Sequence, residues 1–475
     1  MTRRRLSLAL GGAWLATMAT SFLPDAALAH GLVGRQDLPI PRWLFAWAAA
    51  VVLVASFVGL GILWTKPRLQ KVDERGVLRI PAALEYVLGA FGVAAFATVI
   101  YAGFAGTQTA TANVTPTVIY VLFWVGVPFA TLLLGNFFPA ISPWRAIARA
   151  TGWALGRLGI RRPTPRAYPE WLGRWPAVIG IFAFAWVELV YVNRDAPSGL
   201  ATMALAYALF QLVGSAVYGT ETWRRNADAF SVYFWMFSLL SPAHWRGREL
   251  CLRPPLSGAP QMAAVPGTIA LLCTMIGTTS FDGLSQGDLW TGTGGLAPAL
   301  QQRFINLGLS ADLALELTFT IGLLFMIGFV SGLFRLGLMG MRSINHKDTV
   351  QSLGRTFAHS LIPIALAYVV AHYFSLVAYQ GQAMAFLVSD PLGNGANLFG
   401  TASASINYNV IGATGIWYVQ VAALVVGHIA GLALAHDRAI VKYRRMRDAT
   451  RSQYWMLAVM VGFTSLGLFL LSTSA

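Results

Sequence analysis

Apolar residues run along this chain in long blocks separated by short polar segments. Ten blocks cover roughly 43–64, 84–106, 114–136, 175–192, 197–219, 262–280, 311–334, 355–378, 414–436 and 454–472. Each is near the ~20 residues that carry a helix across the hydrocarbon of a bilayer. Backbone N–H and C=O groups have no partner in lipid, so such blocks must be helices. The pattern predicts an all-α polytopic membrane helix bundle of about ten transmembrane helices, forming one integral domain over residues 30–475. The block 228–240 is too short to span, and reads as a helix lying in the interface or as a re-entrant piece. Pro128 and Pro363 should kink their helices. The pairs Gly328/Gly332 and Gly427/Gly431 should mark close helix seams.

A leader precedes these blocks. Arg3, Arg4 and Arg5 are followed by the apolar stretch Leu6 to Phe22 and by Ala27-Leu28-Ala29. This is the order of a cleavable signal peptide over residues 1–29, which leaves His30 as the new first residue. An uncleaved anchor is the alternative, because the stretch approaches the ~17 residues a span needs.

Charge then sets orientation. Loops near 65–84, 137–174, 220–261, 335–355 and 437–453 hold 27 of the 34 Lys and Arg residues. Past the leader, the remaining segments hold only Arg35, Arg42, Arg194 and Arg303. Short basic loops stay cytoplasmic, so both ends of the mature chain are expected outside, in a bacterial inner membrane. With 56% hydrophobic and 11% charged residues, the net charge of +15 belongs to loops that meet lipid headgroups. No nucleic-acid-binding motif accompanies it, so nucleic acid is not an expected partner. Cys251 lies in a basic loop and Cys273 in an apolar block, so neither a disulfide nor a thiolate metal site is expected.

Ionisable groups inside spans are costly and are functional candidates by default. Glu188, His372, Asp312, Glu316, Asp282 and Asp288 all fall toward the outward ends of their blocks, and His30 would join them there. Asp312 and Glu316 are four apart and share a helix face. Glu188, Glu316 and His372 are the candidate catalytic groups. His30, His372, Asp282, Asp312 and Glu316 are the candidate ligands of a divalent metal, zinc favoured. Copper at an N-terminal His30 is less favoured, because it needs a second histidine close by. Proton transfer without metal suits the same groups.

Each has a structural alternative. Asp312 can complement the helix dipole behind a Ser310 cap. Glu188 and His372 can satisfy each other, or Tyr191 and Tyr368. Asp282 and Asp288 can be plain loop residues. His359, His428 and His436 lie deeper or inward. His359 and His372 are about 20 Å apart along an ideal helix, too far to share a metal. His359 and His428 are nearer in depth.

Several stretches carry a resemblance: His30-Gly-Leu-Val-Gly-Arg-Gln-Asp-Leu-Pro-Ile-Pro, Thr279-Ser-Phe-Asp-Gly, Phe357-Ala-His-Ser-Leu-Ile-Pro, Trp417-Tyr-Val-Gln-Val, Gly427-His428 and Ala435-His-Asp-Arg-Ala. They resemble bacterial membrane proteins of the fenitrothion hydrolase-like group, over most of the mature chain. The resemblance implies a membrane-bound hydrolase of organophosphate triesters, with an apolar small-molecule substrate and a second membrane subunit. It carries no site residues with it. A proton- or metal-coupled transporter of a small solute, or an accessory subunit of a copper-handling complex, are the competing classes.

Overall fold

A computed structural model describes residues 42–160, 164–292 and 294–473. The leader and His30 lie outside the described residues. Most of the described residues are helical. Six helical stretches are long and apolar enough to cross a membrane: Ala82–Ala105, Val114–Leu134, Pro197–Tyr218, Ala311–Arg342, Val350–Leu387 and Ala413–Lys442. The remaining apolar blocks also form helices, among them Arg42–Leu63, Trp175–Leu189, Thr268–Ser285 and Tyr454–Thr473.

Both prolines interrupt regular helix. A ring at position i lacks the N–H and collides with the carbonyl of i−4. Ahead of Pro128, the ten residues Thr117–Gly126 widen into a π-helix. Ahead of Pro363, Ala358–Leu361 tighten into a 3-10 turn. Each irregular turn absorbs the misfit within its own strip of backbone.

The helices Ile362–Gln380 and Ala413–Lys442 form the most extensive contact in the molecule. Gly427 and Gly431 make it possible, since a Cβ on either would sit 2.8 Å from the carbonyl oxygen of Pro363 or Ser360 respectively. The other expected seam is absent. Gly328 and Gly332 have no neighbour within 4 Å of where a Cβ would stand. Their spacing is right, but they sit on a face of the long helix that nothing covers.

The block 228–240 is not an interfacial helix. Ala229–Ser238 is buried on all sides, with Phe230, Tyr233, Phe234, Met236 and Phe237 in the main core. Trp124 stacks on Tyr233 at 4.8 Å between ring centroids, and Phe123 packs edge-on to Phe230 and Phe234. A helix apolar all round belongs inside a large structure. Asp228 caps it, accepting from Ser231 N at 3.2 Å and from the Tyr207 hydroxyl at 2.7 Å.

The five basic loops gather at one end of the bundle and are tied together. Arg75–Arg79, Glu249–Leu252 and Ala243–Arg246 form a small antiparallel sheet with Glu249–Leu252 at its centre, a departure from the all-helical expectation. Arg145 bridges Glu85 and Glu221 at 2.7 and 2.9 Å, and Arg149 reaches Glu85 at 2.7 Å. Arg438 donates to the Pro260 carbonyl, and Lys442 pairs with Asp348. Asp437 is fully buried, and its carboxylate accepts from Trp64 Nε1, the Arg68 and Leu69 amides and Gln70 Nε2. At the opposite end the segments 107–114, 190–198 and 381–412 meet one another through backbone and amide bonds, such as Thr107 N to Leu392 O.

Candidate functional site

The site lies toward the end of the bundle opposite the basic loops. The helix Thr268–Ser285 runs five residues past the apolar block 262–280, and Phe281, Asp282, Gly283 and Leu284 in that extension are buried by the surrounding protein. Asp282 is therefore a residue of a buried helical turn, and the plain-loop alternative is wrong for it. This helix packs against Trp175–Leu189, Ala311–Arg342 and Ile362–Gln380, which bring the other groups to it.

His372 Nε2 lies 2.8 Å from Asp282 Oδ2, with the two side chains 12% and 10% exposed. The Tyr373 hydroxyl donates to the same oxygen at 2.8 Å, and Gln286 Nε2 donates to Oδ1 at 3.1 Å. His372 and Tyr373 are successive residues, about 100° apart on their helix. They straddle the carboxylate, so one oxygen receives both. A charged pair taken from water incurs a desolvation penalty that its mutual attraction often fails to recover, so such a pair is weak evidence of a stabilising role. Within a membrane it marks chemistry by default.

Glu188 stands nearby. It occupies the last turn of Trp175–Leu189, and its Oε2 is shielded from solvent without a hydrogen-bond partner among the described residues. Its carboxyl is within electrostatic reach of Asp282, Arg194, Tyr120 and Tyr233. Trp124 Nε1 stands near both Glu188 and Tyr373 without completing a hydrogen bond to either. Tyr120 and Trp124 belong to the π-helical strip, whose wider turns are common beside functional sites.

His372 also borders a small cleft whose enclosed space is about 20 Å³, room for about one water molecule. Thr279, Ser280, Tyr368 and Leu424 line it with His372. Because Nε2 is held by Asp282, Nδ1 is the imidazole nitrogen left for chemistry.

Of the residues singled out in the sequence, Asp282 and His372 meet, and Glu188 stands within electrostatic reach of Asp282. Glu188 and His372 do not satisfy each other, and Tyr368 donates to Phe463 O while Tyr191 stacks on Trp186. Glu316 does not join the group. It lies on the Ala311–Arg342 helix, half-buried, accepting from Val192 N at 3.3 Å. Asp312 is exposed one turn earlier, behind a Ser310 cap that accepts from Leu313 N, which matches the helix-dipole alternative. Asp288 opens the short helix Asp288–Thr291. Among the described residues, no three of His, Cys, Asp and Glu come within reach of one metal ion. Zinc takes three or four protein ligands. Asp282 and His372 provide two, so the described donor set does not by itself fit that ion. Tyr373, Trp124 and Ser280 went unread in the sequence, although Tyr373 adjoins His372 and a hydroxyl run inside an apolar block is a visible signal.

The remaining histidines serve as contacts. His428 Nδ1 donates to the Leu424 carbonyl at 2.7 Å. His436 Nε2 donates to Trp64 O while Nδ1 accepts from Gln453, which fixes a neutral ring. His359 and His428 do not pair through Nε2, which has no partner in either.

No protein-family model, no curated protein and no solved structure matches the chain.

Proposed function

We propose that the chain is a membrane-embedded hydrolase of apolar phosphoric triesters, of the fenitrothion kind, working at the His372–Asp282 pair. The observation that carries this reading is the pair itself, buried, charge-assisted and beside a cleft. A carboxylate that accepts from one imidazole nitrogen fixes the tautomer and leaves the other nitrogen basic, the arrangement of a general base. His372 Nδ1 takes the proton of the attacking oxygen and returns it to the aryloxide. Tyr373 and Gln286 hold Asp282 ionised and in place. Glu188 supplies a second acid near the departing group. The enclosed cleft holds about one water molecule, so the triester would lie outside it among the lipid-facing helices with its phosphorus at the cleft mouth.

In this reading about ten helices span the inner membrane after removal of the leader, with both termini and the site outside and the tied basic loops in the cytoplasm. A lipophilic triester enters sideways from the bilayer. The test uses the purified full chain in detergent with an aryl triester. Phenol release that His372→Ala and Asp282→Asn abolish without loss of insertion supports the reading, and release unchanged in both variants rejects it.

A proton-coupled carrier is the second reading, favoured by the unpartnered Glu188 oxygen beside Asp282. Buried acids exchanging protons are what such carriers use. Solute movement into proteoliposomes without product formation would support it.

A further inference from the structure

We infer that Ser280 is the nucleophile of this site, so that hydrolysis passes through a phosphorylated serine. The inference rests on the hydrolase reading above and names the group that attacks phosphorus. Three hydroxyls line the cleft. Thr279 Oγ1 donates to Met275 O at 3.2 Å, and the Tyr368 hydroxyl donates to Phe463 O at 3.1 Å. Ser280 is 3% exposed, and its Oγ is buried with no partner among the described residues. A buried hydroxyl left unbonded is unfavourable, and a backbone carbonyl one turn back could have satisfied it. Its neighbours Thr278 and Thr279 take that option. Ser280 instead shares the cleft with His372, the imidazole that Asp282 holds.

Serine, histidine and aspartate in these roles make an activated nucleophile once the hydroxyl turns onto the imidazole; here the two share the cleft without a hydrogen bond between them. In the first step Ser280 Oγ bonds to phosphorus and its proton passes to His372 Nδ1. The bond from phosphorus to the aryl oxygen breaks, and the aryloxide takes that proton and leaves as the phenol. In the second step water adds to phosphorus and gives its proton to His372. The bond to Ser280 Oγ breaks, serine recovers the proton, and the dialkyl phosphate departs. The sum is one triester and one water giving one phenol and one diester acid.

The test is labelling of the full chain in detergent with a dialkyl fluorophosphate, followed by peptide mass mapping. Parallel samples receive diethyl nitrophenyl phosphate and are followed for the release of nitrophenol. The expected result is one dialkylphosphoryl group on Ser280, abolished by His372→Ala. A burst of about one nitrophenol per chain should accompany it, and Ser280→Ala should lose both label and burst with turnover at least 100-fold lower. Label on Ser280 without triester turnover supports the nucleophile while rejecting the substrate class. Absence of label from Ser280, or turnover that survives Ser280→Ala, overturns the inference and leaves direct attack by water.

Discussion

Asp282 and Asp437 are both buried aspartates in helices, one at each end of the bundle, and their partners differ in kind. Asp437 accepts from Trp64 Nε1, Gln70 Nε2 and the Arg68 and Leu69 amides. None of these donors changes protonation near neutral pH. Asp282 accepts from an imidazole and a phenol, and a second carboxyl stands nearby. Saturation by fixed donors holds a fold together, whereas partners that exchange protons make a place where protons can move. Burial alone does not separate the two roles.

The sharpest way to break this contrast is to remove each charge. Asp282→Asn should lower triester turnover by about three orders of magnitude or more, as expected when the group that orients a catalytic histidine is neutralised. Its melting temperature in detergent should hardly change. Asp437→Ala should do the reverse, with about 3 kcal/mol lost as several buried donors are stranded, and unchanged turnover per folded molecule. Equal losses of activity and stability in both variants would erase the distinction.

A second comparison sets the two glycine pairs against each other. Gly427→Val should lose about 1–3 kcal/mol, because the side chain meets Ala367 and the Pro363 carbonyl. Gly328→Val should stay within about 0.5 kcal/mol, since its surroundings are open. Thermal unfolding of the two proteins side by side decides the matter.

The smallest effect belongs to the rim of the basic end. Burial pushes the Glu221 carboxyl up, but Arg224 and Arg145 outweigh this and hold it below the ordinary value. A depressed folded value means the contribution is present above the unfolded value of about 4.3 and is lost as pH falls through the lower one. Glu221→Gln should shift stability by less than about 1 kcal/mol at neutral pH, and the gap from wild type should close on acidification through that window.

The helices were legible in the sequence because apolar length is a strong signal where lipid is the solvent. The grouping of the basic loops was legible for the same reason, and the contacts of Arg145, Arg438 and Lys442 place those loops together. The site was legible only in part. Depth along a helix follows from residue number, and it brought Glu188, Asp282 and His372 to one level. The direction in which each helix face points depends on its neighbours, so Glu316 and Asp312 were grouped with residues that they do not meet. The sheet formed by Arg75–Arg79 with Glu249–Leu252 was hidden because its strands are short and distant in sequence.

The clamp on Asp437 has a bearing on how this protein comes to be assembled. Trp64 and Asp437 are separated by 373 positions, so the segment 64–70 lacks this clamp until residue 437 has been made, although Arg75–Arg79 in the same loop can pair with Glu249–Leu252 earlier. Contacts of such long sequence separation make assembly slow and leave early segments in need of protection. A chain truncated before residue 437 would retain most of its apolar helices and the sheet pairing of Arg75–Arg79, and would leave the segment 64–70 without the carboxylate that holds it.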